Sequence, residues 1–130
     1  MITIIAGGRH YFLTDADARR LDYLRLELPI TEVVSGCAKG ADAGGEHWAV
    51  SRGLPISRFP AAWENLAAPN ARVKTRPDGT QYNANAGFDR NESMALYAQA
   101  VVLFPGGPGT ADMARRGKLH GLHIIDWRNI

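Results

Sequence analysis

Four apolar residues run directly into a glycine-rich turn in the stretch VVLFPGGPGT, residues 101–110. A short apolar run that stops at glycine predicts a buried strand followed by a loop. The same transition occurs near the start of the chain, where ITIIA at 2–6 precedes Gly7 and Gly8. Three weaker apolar segments predict further strands at 31–36, 54–59 and 122–126.

Helical signals lie between these strands. Thr14 and Asp17 have the spacing of a capping box, and the helix that they predict stops before Pro29. Strands that alternate with helices predict a parallel sheet covered on both faces. We therefore expect a Rossmann-like three-layer α/β sandwich with a sheet of about five strands. The other predicted helices cover about 41–52, about 89–99, and a segment from the N-cap Thr110 to about Gly117.

The length of 130 residues fits a single domain over 1–130. The stretch 64–88 has no clear hydrophobic period and contains the turn signal RPDGT. We interpret it as an irregular insertion, whose role as a lid, an oligomer contact or a solvated loop stays open.

Composition excludes several classes of protein. Fifteen Lys/Arg against thirteen Asp/Glu give a net charge of +2, which argues against a nucleic-acid binder. No run of about 18 apolar residues is present, so no membrane span is expected. Cys37 is the single cysteine, which rules out an internal disulfide and suits a reducing cytoplasm, where we expect the protein to reside.

Three glycine clusters follow predicted strands: GGRH at 7–10, SGCAKGAD at 35–42 and PGGPGT at 105–110. Glycine lets backbone N–H groups converge on an anion, and a helix N-terminus adds positive potential. Because the carboxyl ends of parallel strands meet at one edge of the sheet, we expect the three loops to form one site. No Walker A loop and no G-x-G-x-x-G occurs, which argues against a P-loop NTPase and an ordinary NAD dehydrogenase.

Side chains near these loops complete the predicted site. Arg9 and Arg90 are expected to bind a phosphate group through their guanidinium groups. Asp42 either binds ribose hydroxyls or caps its helix. Trp63 either stacks on a base or fills the core. No metal or other cofactor is expected, since His120 and His123 straddle a glycine. The candidate ligand-binding residues are Gly7, Gly8, Arg9, His10, Ser35, Gly36, Lys39, Gly40, Asp42, Arg90, Asn91, Gly106, Gly107, Gly109 and Thr110.

The motifs GGRHY, SGCAKGAD followed by Trp48, FPAAW at 59–63, RNESM at 90–94 and VVLFPGGPGTADM at 101–113 resemble the YspA/YpsA-related branch of the SLOG superfamily. That superfamily also contains the lonely-guy hydrolases and the DNA-processing Smf proteins. The resemblance spans about residues 2–125 and implies a Rossmann-like fold, a nucleotide-like ligand and a homo-oligomer of two or more subunits.

The lonely-guy enzymes cleave a base from a ribose 5′-monophosphate with a glutamate in the pattern PGG-x-GT-x-x-E. Arg90 and Met94 match the arginine and methionine of their pattern, but Met113 occupies the glutamate position. A thioether cannot transfer a proton, so this chemistry would need another carboxylate, Asp42 or Asp112.

We therefore expect a binding protein for a nucleotide or an ADP-ribose-like metabolite, acting as a sensor or by sequestration. Two alternatives stay open. One is an N-glycosidase or phosphoribohydrolase with a relocated carboxylate. The other is a single-stranded nucleic-acid binder, by analogy with the Smf proteins.

Overall fold

The computed structural model describes residues 1–129. All five predicted strands and all four predicted helices form, together with two short strands inside 64–88. The elements in chain order are β1 (Ile2–Ala6), α1 (Asp15–Glu27), β2 (Glu32–Ser35), α2 (Ala41–Ser51), β3 (Ile56–Arg58), β4 (Val73–Thr75), β5 (Gln81–Asn83), α3 (Ala86–Tyr97), β6 (Ala100–Leu103), α4 (Pro108–Leu119) and β7 (His123–Asp126).

The main sheet is parallel and has the strand order β3-β2-β1-β6-β7. Strand β1 is central, with Ile4 beside Val34 of β2 and Val101 of β6. The direction of winding reverses between β1 and β6, which makes this pair the topological switch point of the sheet. Ligands of open α/β sheets bind outside the carboxyl ends of the strands at such a point.

Two hydrophobic clusters cover the two faces of the sheet. On one face Leu21 of α1 and Trp48 of α2 are buried against Ile5. On the other face Met94 of α3 and Met113 of α4 are buried against the opposite side of the sheet. Each face is thus covered by two helices, and the predicted three-layer sandwich is confirmed. Within residues 1–129, no helix is both long enough and apolar enough to cross a membrane.

The predicted start of α1 is confirmed in detail. Thr14 accepts a hydrogen bond from the backbone of Asp17, and the Asp17 carboxylate accepts one from the backbone of Thr14. This reciprocal pair satisfies two N–H groups that the helix itself leaves without partners.

The predicted N-cap of α4, Thr110, is wrong by three residues. The helix begins at Pro108 with Gly107 as N-cap, and Thr110 lies inside the first turn. Proline is well suited to the first helical position, where its missing N–H is not needed. Helix α3 likewise begins at Ala86, three residues before its predicted start.

The prediction that 64–88 is irregular is also partly wrong, because β4 and β5 pair as an antiparallel hairpin. Its strands have three residues each and are largely exposed, so they lack the alternating apolar pattern that identifies a strand. Buried Asn83 supports the hairpin instead, since its Oδ1 accepts hydrogen bonds from the backbone of Arg72 and Asn85 at 3.0 Å. The predicted turn is present, with Gly79 at φ 89°.

Candidate ligand-binding cleft

A cleft of about 700 Å³ opens at the carboxyl edge of the sheet beside β1 and β6. Its volume lies within the range of about 300–1,000 Å³ that is typical of small-molecule sites. Gly8, Gly36 and Gly107 all line it. The three glycine loops, which are far apart in the sequence, therefore meet at one place.

The first and third loops pack directly on each other. The backbone N–H of Gly8 donates to the carbonyl of Pro105 at 2.8 Å. A Cβ atom on Gly8 would lie 3.1 Å from Cα of Gly106, and one on Gly106 would lie 2.7 Å from the nitrogen of Gly8. Gly8 and Gly106 are thus needed for the close approach of two loops.

The third loop also presents the N-terminus of α4 to the cleft. Gly107 caps the helix without a side-chain hydrogen bond. Within residues 1–129, the N–H groups of Gly107, Gly109 and Thr110 find no acceptor in the protein. These groups and the helix dipole place partial positive charge at the cleft wall, where an anion is stabilised.

Gly107 and Gly109 differ from the packed glycines. A Cβ atom on either would meet no other atom within 4 Å, and neither residue has a positive φ. Glycine in a helix costs about 1 kcal/mol relative to alanine. Packing therefore gives no reason for glycine at position 109, inside the first turn of α4, whereas a ligand lying against the backbone would. At position 107 the N-cap role also favours glycine.

Arg90 joins the second loop to α3. Its Nη1 donates to the carbonyl of Gly36, and its Nε donates to Oδ1 of Asn91 at 3.1 Å. A Cβ atom on Gly36 would lie 2.7 Å from Nη1 of Arg90 and 2.8 Å from Oδ2 of Asp42. Glycine at position 36 thus lets a guanidinium and a carboxylate approach the same stretch of backbone.

Burial perturbs both charged groups. It lowers the pKa of Arg90, an effect that the nearby negative charge of Asp42 opposes. It raises the pKa of Asp42, although the N–H of Ala38, at 3.1 Å from Oδ2, and the charge of Arg90 act in the opposite direction. In the part of the chain that the structure describes, Arg90 has no carboxylate within 4.0 Å. Its charge is therefore held in the cleft without a direct ionic partner.

Twelve of the fifteen predicted site residues line the cleft. Arg9 and His10 are exposed there, while Asp42, Asn91 and Thr110 are buried. The twelve are Gly7, Gly8, Arg9, His10, Gly36, Asp42, Arg90, Asn91, Gly106, Gly107, Gly109 and Thr110.

Ser35, Lys39 and Gly40 do not line the cleft. The Ser35 hydroxyl is buried and donates to Oε2 of Glu46 at 2.6 Å. Gly40 has φ 71°, and a Cβ atom there would lie 2.6 Å from the carbonyl carbon of Arg9. These two residues hold the second loop in place, while Lys39 is exposed outside the cleft.

Asn91 links the two helices beside the cleft. Its Nδ2 donates to the carbonyl of Gly109 at 3.2 Å and to Oδ2 of Asp112 at 3.0 Å. Asp112 is buried and also accepts from Arg115 and Arg116. Its carboxylate is therefore fully engaged away from the cleft.

Met113 lines the cleft at the position that the lonely-guy pattern gives to glutamate. Of the two carboxylates considered as substitutes, Asp42 lines the cleft and Asp112 does not. Among residues 1–129, Asp42 is the only aspartate or glutamate that does so.

Sequence reasoning missed most of the apolar wall of the cleft. Tyr11 and Phe88 line it, and Trp63, for which core packing was one interpretation, lines it with 41% of its surface exposed. The core interpretation of Trp63 is therefore wrong. Tyr11 follows the first glycine loop directly, and this position was the available signal for its role.

The fold and the cleft together define a Rossmann-like α/β protein with an open site at the switch point of its sheet. The model of the YspA, cpYpsA-related SLOG family matches residues 1–66, half of the chain. The chain therefore belongs to this family, and the resemblance found in the sequence is confirmed. The matched part includes the first two glycine loops; the third loop and Arg90 lie beyond it. Comparison with curated proteins and with solved structures gave no significant match.

Proposed function

We propose that this cleft binds a nucleotide or a nucleotide-derived metabolite, such as a nucleoside phosphate or an ADP-ribose-like compound. The observation that carries the proposal is that Arg90 and the open N-terminus of α4 line the same cleft. A phosphate group needs several donors and a compensating positive charge, and these two features supply both.

The third loop provides the first part of a phosphate site. Three N–H groups without acceptors, on Gly107, Gly109 and Thr110, are available to oxygen atoms of an anion. Because neither Gly107 nor Gly109 has a neighbour within 4 Å of a Cβ position, a phosphate has room to lie against the backbone. Exposed Arg9 adds a second positive charge at the cleft.

The remaining lining suits the rest of a nucleotide. Trp63 and Phe88 line the cleft and are 41% and 37% exposed, so they contribute apolar surface of the kind that accepts a nucleobase. Asp42 supplies a carboxylate, an acceptor for the paired hydroxyl groups of ribose. The cleft therefore combines the three kinds of contact that phosphate, ribose and base each require.

Met113 favours binding of the ligand without turnover, because a thioether cannot act as an acid or a base. The protein then acts as a sensor or a sequestering protein. Asp42 favours a second candidate, an N-glycosidase, since it is the only aspartate or glutamate among residues 1–129 that lines the cleft and could serve as an acid or base. Release of free base from a nucleoside monophosphate, abolished by Asp42→Asn, would establish that activity.

Calorimetry with AMP, ADP, ADP-ribose and NAD tests the binding proposal. We expect at least one of them to bind, and Arg90→Ala to weaken that binding by about 10- to 100-fold, the usual effect of losing a charged hydrogen bond. Lys118→Ala is the charge-matched control, because Lys118 is exposed and does not line the cleft. Absence of binding by the wild-type protein at millimolar concentrations of all four would contradict the proposal.

A further inference from the structure

Trp63 presents an aromatic surface to the cleft. The side chain lines the cleft and remains 41% exposed. Tryptophan side chains are normally well buried, so the partial exposure of the Trp63 ring beside polar residues is unusual.

Contacts on the other side hold this ring in place. A Cβ atom on Gly87 would lie 2.9 Å from Cη2 of Trp63, so the indole rests directly against the first turn of α3. The ring of Tyr82 meets it edge-on, with the two centroids 6.5 Å apart. The guanidinium of Arg76 in turn lies 4.5 Å from the centre of the Tyr82 ring.

The backbone of Trp63 is fixed as well. Its carbonyl accepts a hydrogen bond from the backbone of Asn83 at 2.6 Å. The buried side chain of Asn83 accepts hydrogen bonds from the backbone on both sides of the hairpin. The orientation of the indole is therefore set before any ligand arrives, which limits the conformational entropy lost on binding.

The ring also lies near the charged group of the proposed site. The Gly87 Cβ position that meets Trp63 is 3.7 Å from Nη2 of Arg90. An aromatic surface and a guanidinium thus border the same end of the cleft. A ligand held by Arg90 through an anionic group has a planar surface within reach.

We propose that Trp63 is the residue on which the nucleobase of the ligand stacks. The inference rests on the proposed function and narrows it: the ligand carries an aromatic base, and a sugar phosphate without a base is a poor substitute. Stacking of a base on an aromatic side chain contributes about 5- to 150-fold in affinity, judged from alanine substitutions.

Two other aromatic residues line the cleft but suit this role less well. The ring of Tyr11 stacks on Phe104 at 5.7 Å, and its hydroxyl donates to Asp17 at 2.9 Å, so Tyr11 is engaged with the protein. Phe88 is 37% exposed and offers a smaller ring. Phe12 is 70% exposed and does not line the cleft, so Phe12→Leu is a control for the loss of an exposed aromatic residue elsewhere.

The test compares ribose 5-phosphate with the tightest-binding of AMP, GMP, CMP and UMP, by calorimetry. We expect Trp63→Leu to weaken binding of the nucleotide by about 5- to 150-fold and to leave ribose 5-phosphate unchanged. Trp63→Phe keeps a stacking surface and should recover most of the affinity. Phe12→Leu should change the affinity for the nucleotide by less than about threefold, since Phe12 lies outside the cleft and stacking on Trp63 is retained.

Failures of the two proposals can be told apart. If the nucleotide binds the wild type and Trp63→Leu equally well, the stacking inference is overturned while the proposed function stands. If ribose 5-phosphate binds the wild type as tightly as the best nucleotide, the base adds nothing and the inference is overturned as well. If neither compound binds and the wider nucleotide panel also fails, both proposals fall.

Discussion

The second and third glycine loops look alike in the sequence and differ in the structure. Gly36 and Gly40 are packed against other parts of the protein, so that an added Cβ atom would lie within 3 Å of a neighbour. Gly107 and Gly109 have nothing within 4 Å. Packing explains the first pair but neither residue of the second, and Gly109 also lies inside a helix, where glycine is unfavourable. Glycine clusters in one site therefore arise from two separate physical requirements.

Substitutions at packed glycines should change the stability of the protein, whereas substitutions at open glycines should change the binding of a ligand. Substitution of a packed glycine acts on the folded state, because the new methyl group must displace atoms that already fill the space. Substitution of an open glycine leaves the fold intact and fills space that a ligand would occupy. Variants of the two kinds should therefore have opposite effects, and this expectation can be tested.

The largest effect is expected for Gly40→Ala. The backbone at Gly40 has φ 71°, and the new Cβ would lie 2.6 Å from the carbonyl carbon of Arg9. Gly53→Ala is the control, because Gly53 has φ 69° but no atom within 4 Å of its Cβ position. We expect about 1–2 kcal/mol of lost stability for Gly53→Ala and at least about 3 kcal/mol for Gly40→Ala, measured by urea unfolding. Equal losses for the two variants would show that the packing of Gly40 is unimportant.

A smaller effect of opposite sign is expected for Gly109→Ala. Alanine in the first turn of α4 should raise the free energy of unfolding by about 0.5–1 kcal/mol. The same methyl group would occupy open space at a cleft-lining position and should weaken nucleotide binding by about tenfold or more, about 1.4 kcal/mol.

Ala111→Gly is the matched control for Gly109→Ala. Ala111 is exposed on the same helix and does not line the cleft, so the variant should lose about 0.5–1 kcal/mol of stability and keep its affinity. Unchanged binding by Gly109→Ala would remove the evidence that the open glycines serve a ligand.

The smallest effect concerns pH and Asp42. Burial raises the pKa of Asp42, so the ionised carboxylate disfavours the folded state, and this cost grows as the pH rises from the unfolded pKa through the folded one. Asp42→Asn should therefore gain stability at neutral pH relative to acidic pH. The relative gain should shrink as the pH falls toward the unfolded pKa.

Asp126→Asn should behave in the opposite way. Its hydrogen bond to Arg128 lowers the pKa of Asp126, so the ionised group stabilises the folded state above the unfolded pKa. Loss of that group should reduce stability at neutral pH, and the difference should vanish as the pH falls through the folded pKa. Urea unfolding of both variants between about pH 2 and pH 7, a range that extends below the unfolded pKa of both groups, measures this. If the stability of both variants relative to the wild type changes with pH in the same direction, the opposite pKa shifts of Asp42 and Asp126 would be contradicted.

Local sequence patterns predicted the sheet and the helices well. Buried strands such as β1 and β6 are mostly apolar segments that lead into glycine-rich turns, and the capping box at Thr14 marks a helix start by itself. The hairpin in 64–88 was missed because its short, exposed strands depend on a single buried asparagine, Asn83. The hydrogen bonds of a single buried side chain leave no periodic hydrophobic pattern in the sequence.

The candidate site was predicted less completely. The glycine loops were recognisable because parallel strands deliver their carboxyl ends to one edge. Which glycine is packed and which is open depends on neighbours far apart in the sequence, such as Gly36 and Arg90. The place of Trp63 was ambiguous for the same reason, because its support comes from Gly87 and Tyr82.

The central claim is that the third loop holds the phosphate of a nucleotide. Titration of the ¹⁵N-labelled protein with AMP, followed through the backbone amide resonances, tests this claim most directly. The account predicts the largest shifts at Gly107, Gly109 and Thr110, and none at Gly53 or Gly79, whose open surfaces lie outside the cleft. Shifts that are confined to residues outside the cleft, with the third-loop amides unmoved in the presence of bound AMP, would contradict it.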